Sequence, residues 1–300
     1  MNKPSGAAGV PLIAGLSAIA PRYDVVLSDI WGVVHNGRES FAAATDALAA
    51  FRRGGGAVVL ITNAPRPNGP IRAQLDQLKV PREAYDSIVT SGDVTIGLIA
   101  ARGAAPVHHI GPPRDLSLFE AAASSSPQAR PRLVALDGAE YVLCTGLFDD
   151  EREVPGDYDA TLQTMLARRL TLVCANPDLV VQRGDKLIYC AGAIAQRYEE
   201  MGGPAIYAGK PHAPIYAQAL DLAGAMRRAP VDKTRVLAIG DAMHTDVAGA
   251  VRLGIDILFV SAGIHREDIH GSGQLAATAL EQFWASHDLR PTAAIGDLLW

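Results

Sequence analysis

The stretch Asp24-Val-Val-Leu-Ser-Asp29-Ile-Trp31-Gly32-Val-Val constrains this chain more than any other. An apolar run ends in a carboxylate, Asp29, and the chain turns at once at Gly32. Such a run marks a strand buried on both faces. Its acid then stands at the end of a sheet, where open α/β folds bind their ligands. Two residues on comes Trp31, whose side chain can neither give nor take a catalytic proton.

Strand-like runs alternate with helical patterns along most of the chain. Tyr23–Ser28, Ala57–Thr62 and Ser87–Thr90 read as strands. Phe41–Arg53 reads as a helix stopped by Gly54-Gly55-Gly56, and Ile71–Lys79 as another. Asn36-Gly37 carries a hairpin-turn signal. The C-terminal part repeats the theme, with strands at Ala205–Ala208, Arg235–Ile239 and Ile257–Val260 around helices at Pro214–Met226 and Asp246–Leu253. Strands separated by helices imply α/β architecture with a doubly wound parallel sheet.

The middle differs. Ala121–Arg132, rich in Ala, Ser and Pro, reads as a loop or frayed helix end. Short strands at Tyr141–Thr145 and Leu170–Cys174 flank a helical stretch near Thr161–Arg169. The expected division is a discontinuous core, residues 1–91 and 205–300, with a second α/β module, residues 92–204, inserted into it.

A net charge of −5 argues against a nucleic-acid or acidic-membrane surface, and no segment is long and apolar enough to span a bilayer. Cys144, Cys174 and Cys190 are widely separated among apolar neighbours. Their odd number and lack of paired spacing point to buried thiols in a reducing compartment, so a cytoplasmic protein is expected. Gly6 to Ala20 superficially resembles a signal peptide, but Gly and Pro11 dilute it and Pro21 would follow the cut. Leu12, Ile13, Leu16 and Ile19 recur at helical spacing and predict a short amphipathic helix instead.

Four pieces fall at the ends of predicted core strands: Asp29, Thr62-Asn63, Gly209-Lys210-Pro211, and Gly240-Asp241 with Asp246. Loops at the carboxyl ends of parallel strands converge in one crevice. Close carboxylates repel unless a cation lies between them, and hard oxygen ligands suit magnesium. Lys210 and the Thr62 hydroxyl would bind a phosphoryl group, leaving Asp29 as the nucleophile.

This set resembles the haloacid dehalogenase (HAD) superfamily, and within it the class IIA phosphatases, whose large α/β cap is inserted between the second and third motifs. The matching stretches are DIWGVV with HNG, ITNAPR, AGKPHAPIY, GDAMHTDVAGA and the cap segment ANPD. An uncharacterised bacterial subgroup of such hydrolases carries the same DxWGV wording. The resemblance implies an aspartyl-phosphate on Asp29, phosphate held by Thr62 and Asn63, and Lys210 neutralising both Asp29 and the phosphoryl group. It implies magnesium on Asp29, Asp241 and the backbone carbonyl of Trp31, with Asp246 as a further ligand or steadying Asp241 or a metal-bound water. Asn176 and Asp178 would face the substrate from the cap, or else form an Asx-Pro turn around Pro177. Asp246 would alternatively be an N-cap. Caps of this class often pair, so a homodimer is compatible with the resemblance, with a small phosphorylated metabolite as substrate.

The sequence departs from the family at Trp31, where HAD phosphatases carry the aspartate that protonates the leaving oxygen. Loss of such an acid typically costs about 10² to 10⁴-fold in rate. Three readings follow: a substrate with a good leaving group, a proton supplied by His35, or binding of a phosphorylated ligand with little turnover. A magnesium-free hydrolase of dehalogenase type fits less well, because Asp241 and Asp246 are retained and the insert comes late.

Overall fold

A computed structural model describes residues 9–125, 130–183, 186–270 and 277–300. Residues 1–8 of the N-terminal run and 126–129 of the Ala/Ser/Pro-rich stretch lie outside these. The strands are β1 (Val25–Asp29), β2 (Ala57–Thr62), β3 (Ser87–Thr90), β4 (Pro106–Ile110), β5 (Arg132–Leu133), β6 (Tyr141–Cys144), β7 (Thr171–Cys174), β8 (Val180–Arg183), β9 (Lys186–Tyr189), β10 (Ala205–Tyr207), β11 (Val236–Gly240), β12 (Asp256–Val260) and β13 (Ala293–Ile295).

Six of them form one sheet in the order β13-β12-β11-β1-β2-β3, parallel throughout. The expected doubly wound α/β core is therefore present. Successive side chains alternate between faces, as strand geometry requires. Val26, Leu60, Leu237 and Leu258 pack into one apolar cluster. Val25, Leu27, Val59, Ala238 and Phe259 pack into another. Each fully buried aliphatic side chain of this kind contributes about 1.5–3 kcal/mol. Burial on both faces explains why these strands read as unbroken apolar runs.

A second sheet, ordered β10-β7-β6-β4-β5 and also parallel, is built from the middle of the chain. It too has two apolar faces, Val142 and Leu172 on one and Leu143 and Val173 on the other. Cys144, Cys174 and Cys190 are buried and not disulfide-bonded, and burial pushes the Cys144 thiol up to about 12. They are the buried thiols that their spacing implied.

Three expectations are corrected. The strand at Ala205 does not join the core sheet: β10 pairs with β7 at the edge of the second sheet, because β11 already occupies the place beside β1. The chain crosses back at Ala208, which packs in a core cluster. The N-terminal helix does not form, since Pro11 and Gly15 interrupt it. Residues 11–13 instead bond along β13, with Ile13 N–H donating to Ala294 O at 2.9 Å, and only short 3₁₀ turns follow at Leu16–Ala18 and Ala20–Arg22. Asn36-Gly37 makes a tight turn rather than a full hairpin. Asn36 Oδ1 accepts from the N–H groups of Arg38 and Glu39, and single bridges join His35 to Trp31 and Ser40.

No described helix is long and apolar enough to cross a membrane.

Candidate active site

The sheet order reverses between β1 and β11, so the crevice at their carboxyl ends is where a ligand site belongs. Register does the rest. Ser28 lies opposite Ile239 and Asp29 opposite Ile61, which sets Asp29 beside Gly240-Asp241 on one side and Thr62 on the other. Asp29, Asp241 and Asp246 are buried, and a carboxylate oxygen of each lies within 4.8 Å of the others.

Lys210 arrives from the crossover after β10. It is 2% exposed, and its Nζ lies 2.7 Å from Asp29 Oδ1 and 2.6 Å from Asp246 Oδ1. Asn63 fixes its backbone: Oδ1 accepts from Lys210 N–H at 2.7 Å and Nδ2 donates to Lys210 O at 3.0 Å. The Asn63 side chain is thus engaged by protein groups. Thr62, also buried, keeps its hydroxyl near its own loop, accepting from Ala64 N–H at 3.2 Å.

Three glycines make room for the acids. A Cβ on Gly32, whose φ is +81°, would lie 2.0 Å from Asp241 Oδ2; one on Gly263 would do the same. A Cβ on Gly240 would lie 2.2 Å from Asp246 Cγ. Asp241 Oδ2 accepts from Ile264 N–H at 2.7 Å. Asp246 lies in a single π turn, Met243–Val247, ahead of the Ala248–Leu253 helix, and its Oδ2 accepts from Ala242 N–H at 3.2 Å. It does not cap that helix by a side-chain bond.

The electrostatics are those of a site short of positive charge. Burial, and then the neighbouring Asp246, push Asp241 up to about 7. Burial also raises Asp29 well above the carboxylate range, against the pull of Lys210. Three buried carboxylates with one ammonium form an oxygen donor set that a hard divalent cation would complete. The hydrogen bonds of the turn after β1 go to the carbonyls of Ile30 and His35, which leaves the Trp31 carbonyl outside them.

Trp31 is half-buried, edge-on to His35 with ring centroids 5.2 Å apart, and packed so closely on Gly37 that a Cβ there would lie 2.4 Å from the ring. His35 is 2% exposed. Its Nδ1 accepts from Gly37 N–H at 3.0 Å, so its remaining proton is on Nε2, and burial lowers it to about 4.

A cavity of about 230 Å³ opens beside Trp31 and Thr62. Its far wall comes from the loops after β4, β6 and β7, which supply Asp115, Thr145 and Asn176. The carboxyl ends of both sheets thus border one space. Asn176 and Asp178 form the Asx-Pro turn and lie on the cavity wall, with Asn176 Oδ1 accepting from Asp178 N–H at 3.1 Å around Pro177. Asp178 Oδ1 further accepts from Asn63 Nδ2 at 2.8 Å. Sequence reasoning missed Arg66, Arg114 and Asp115 of this cavity. The arginine ending ITNAPR was the available signal for the first; distance along the chain hid the others. His244 is exposed and faces His287, not the cavity.

Residues 26–124 match the family described as haloacid dehalogenase-like hydrolase, and residues 207–287 the HAD-hydrolase-like family. The crystal structure of a hydrolase of the haloacid dehalogenase-like family from Brucella suis 1330 is 43% identical, covers 96% of this chain and 100% of its own, and superposes with a TM-score of 0.83. A p-nitrophenyl phosphatase from Archaeoglobus fulgidus, 21% identical over 92% of this chain and 97% of its own, shares the fold with a TM-score of 0.71. The acid sugar phosphatase of Staphylococcus aureus is 28% identical over 95 residues, 31% of this chain, and the match spans only 34% of that protein. The insert between the second and third motifs is consistent with class IIA. With a relative 43% identical along its entire length, the chain belongs to the haloacid dehalogenase-like family of hydrolases, built on a Rossmann-like core.

Proposed function

We propose that this protein is a magnesium-dependent phosphohydrolase of the cytoplasm, acting on a small phosphorylated metabolite through an aspartyl-phosphate on Asp29, with residues 92–204 as its cap. The observation that carries this reading is Lys210, its ammonium held between Asp29 and Asp246 at 2.7 and 2.6 Å within the cluster that includes Asp241. The phosphatase names of the Staphylococcus and Archaeoglobus relatives support it.

Lys210 pulls Asp29 toward its ionised form, against the burial that raises it, and draws in the dianionic phosphoryl group. An Asp29 oxygen attacks phosphorus, the bond to the leaving oxygen breaks, and that oxygen departs with its electron pair. Water then attacks phosphorus, the bond to Asp29 breaks, and phosphate and the free carboxylate are restored. The Thr62 hydroxyl and the backbone N–H of Asn63 orient the phosphoryl oxygens. Asp29, Asp241 and the Trp31 carbonyl would hold magnesium, with Asp246 behind them. Bound there, the ion neutralises charge on the phosphoryl oxygens.

Trp31 supplies no proton to the leaving oxygen. His35 is a poor substitute: lowered to about 4 by burial, it is neutral at pH 7 and offers Nε2–H as a hydrogen-bond donor only. The reading therefore favours leaving groups of low basicity, above all acyl phosphates. A panel of acetyl phosphate, sugar phosphates and p-nitrophenyl phosphate, with and without magnesium, tests it. Metal-dependent release of phosphate, fastest from acetyl phosphate, is expected. Tight binding without turnover of any member would overturn it in favour of a ligand-binding protein, a reading that the packed Trp31 ring supports.

A further inference from the structure

The cavity holds a cation that the chemistry above does not use. Arg66 lies on the loop that follows Thr62, and its backbone is fixed. Its carbonyl accepts from Thr90 Oγ1 at 2.7 Å, and a Cβ on Gly92 would stand 2.3 Å from that oxygen, so the two loops pack backbone against backbone. The side chain is half-buried, yet its one hydrogen bond among the described residues is from Nη2 to the neutral Gln74 Oε1 at 3.3 Å. It makes no ion pair among the described residues. A guanidinium carries five N–H donors in a fixed fork that matches carboxylate and phosphate.

The neighbouring charges do not answer it. Arg114 is taken by Asp150 at 2.6 Å. Asp115 is buried, and burial raises its carboxyl, which weakens it as a counter-charge. Asp178 accepts from Asn63. Burial in turn disfavours the charge on Arg66 and outweighs the charge of Asp115, which favours it without a hydrogen bond among the described residues. A positioned, partly desolvated and largely unpartnered fork facing a small cavity is the complement of an anion.

We infer that Arg66 receives a second anionic group of the substrate, so that the substrates are small molecules carrying a phosphoryl group and a further carboxylate or phosphate, not neutral sugar or aryl monophosphates. This rests on the phosphohydrolase reading for the first phosphoryl group. Trp31 and Leu147 on the cavity wall would cover the short carbon frame between the two anions.

Calorimetric titration of Asp29→Asn protein with magnesium present tests the inference without needing turnover. The carboxylate arm compares 2-phosphoglycolate with ethyl phosphate; the phosphate arm compares propane-1,3-diol bisphosphate with propyl phosphate. The doubly anionic member of at least one pair should bind about 10- to 100-fold tighter, the usual worth of a charge-assisted hydrogen bond. Adding Arg66→Gln should erase that preference while ethyl phosphate still binds, which shows that the variant is folded, and Arg66→Lys should restore part of it. Equal affinities within both pairs, or a preference that survives Arg66→Gln, would overturn the inference. Acetyl phosphate turnover by the unsubstituted protein decides the hydrolase reading separately.

Discussion

Asn63 Nδ2 donates to Asp178 Oδ1 at 2.8 Å and to Lys210 O at 3.0 Å, so one amide ties the loop after β7 to the backbone of the buried lysine. The same side chain accepts from Lys210 N–H. Removing it strands two buried backbone groups of Lys210 and the half-buried Asp178 carboxylate at once. Each unsatisfied buried group costs about 1–3 kcal/mol, so Asn63→Ala should lose several kcal/mol of stability and misplace Lys210. Asp178→Asn keeps an acceptor for Asn63 and should shift stability by less than about 1 kcal/mol. Thermal melts of the two variants check this; equal losses would mean that Asn63 is not the shared anchor.

Trp31 offers a gain-of-function test. Trp31→Asp places a carboxyl where the leaving oxygen needs a proton, and alkyl phosphate hydrolysis should rise, with about 10² to 10⁴-fold as the ceiling set by general acid catalysis. Acetyl phosphate hydrolysis, which needs little protonation, should change far less. The ring packs on Gly37 and His35, so the variant leaves a gap, and Trp31→Phe serves as the packing control. An unchanged ester rate in a folded variant would show that proton transfer does not limit turnover.

These two residues also mark how far the sequence could be read. Trp31 and Asp29 were legible because β1 is buried on both faces and reads as an apolar run ending in an acid. Asp241, Thr62 and Lys210 were legible because parallel strands aim their carboxyl ends one way. The assignment of β10 to the core failed because its three residues, none of them buried, carry no mark of which sheet they join. The link from Asn63 to Asp178 spans two sheets, and no local spacing encodes it. The role of Gly32 in accommodating Asp241 was likewise invisible, since a turn glycine looks the same whatever faces it.

Removal of magnesium should make stability fall as pH rises. In the metal-free protein Asp241 titrates near 7, raised by burial and then by Asp246, against a value near 3.8 for a free side chain. A carboxyl raised on folding contributes stability that is complete below its unfolded value and is lost as pH rises through its folded one. Metal-free protein should therefore melt lower at pH 8 than at pH 5.5, by a free energy on the order of a few kcal/mol. Added magnesium should raise the melting temperature more at pH 8 than at pH 5.5, because protons compete for Asp241 at the lower pH. Metal-induced shifts that are equal at both would overturn this.

Gly32 and Gly55 separate backbone strain from site geometry. Both hold left-handed backbone, with φ of +81° and +92°, but a Cβ on Gly55 would meet nothing within 4 Å, whereas one on Gly32 would lie 2.0 Å from Asp241 Oδ2. Alanine at either position should cost about 1–2 kcal/mol from the left-handed conformation alone. Only Gly32→Ala should also push the Asp241 carboxylate off its bond from Ile264 N–H and out of the cluster with Asp29. Its magnesium affinity should then fall at least about tenfold, as one misplaced carboxylate ligand implies. Gly55→Ala should bind magnesium as the unsubstituted protein does. Titration of both variants with magnesium, followed by the shift in melting temperature, measures the difference; equal affinities would place the metal away from Asp241.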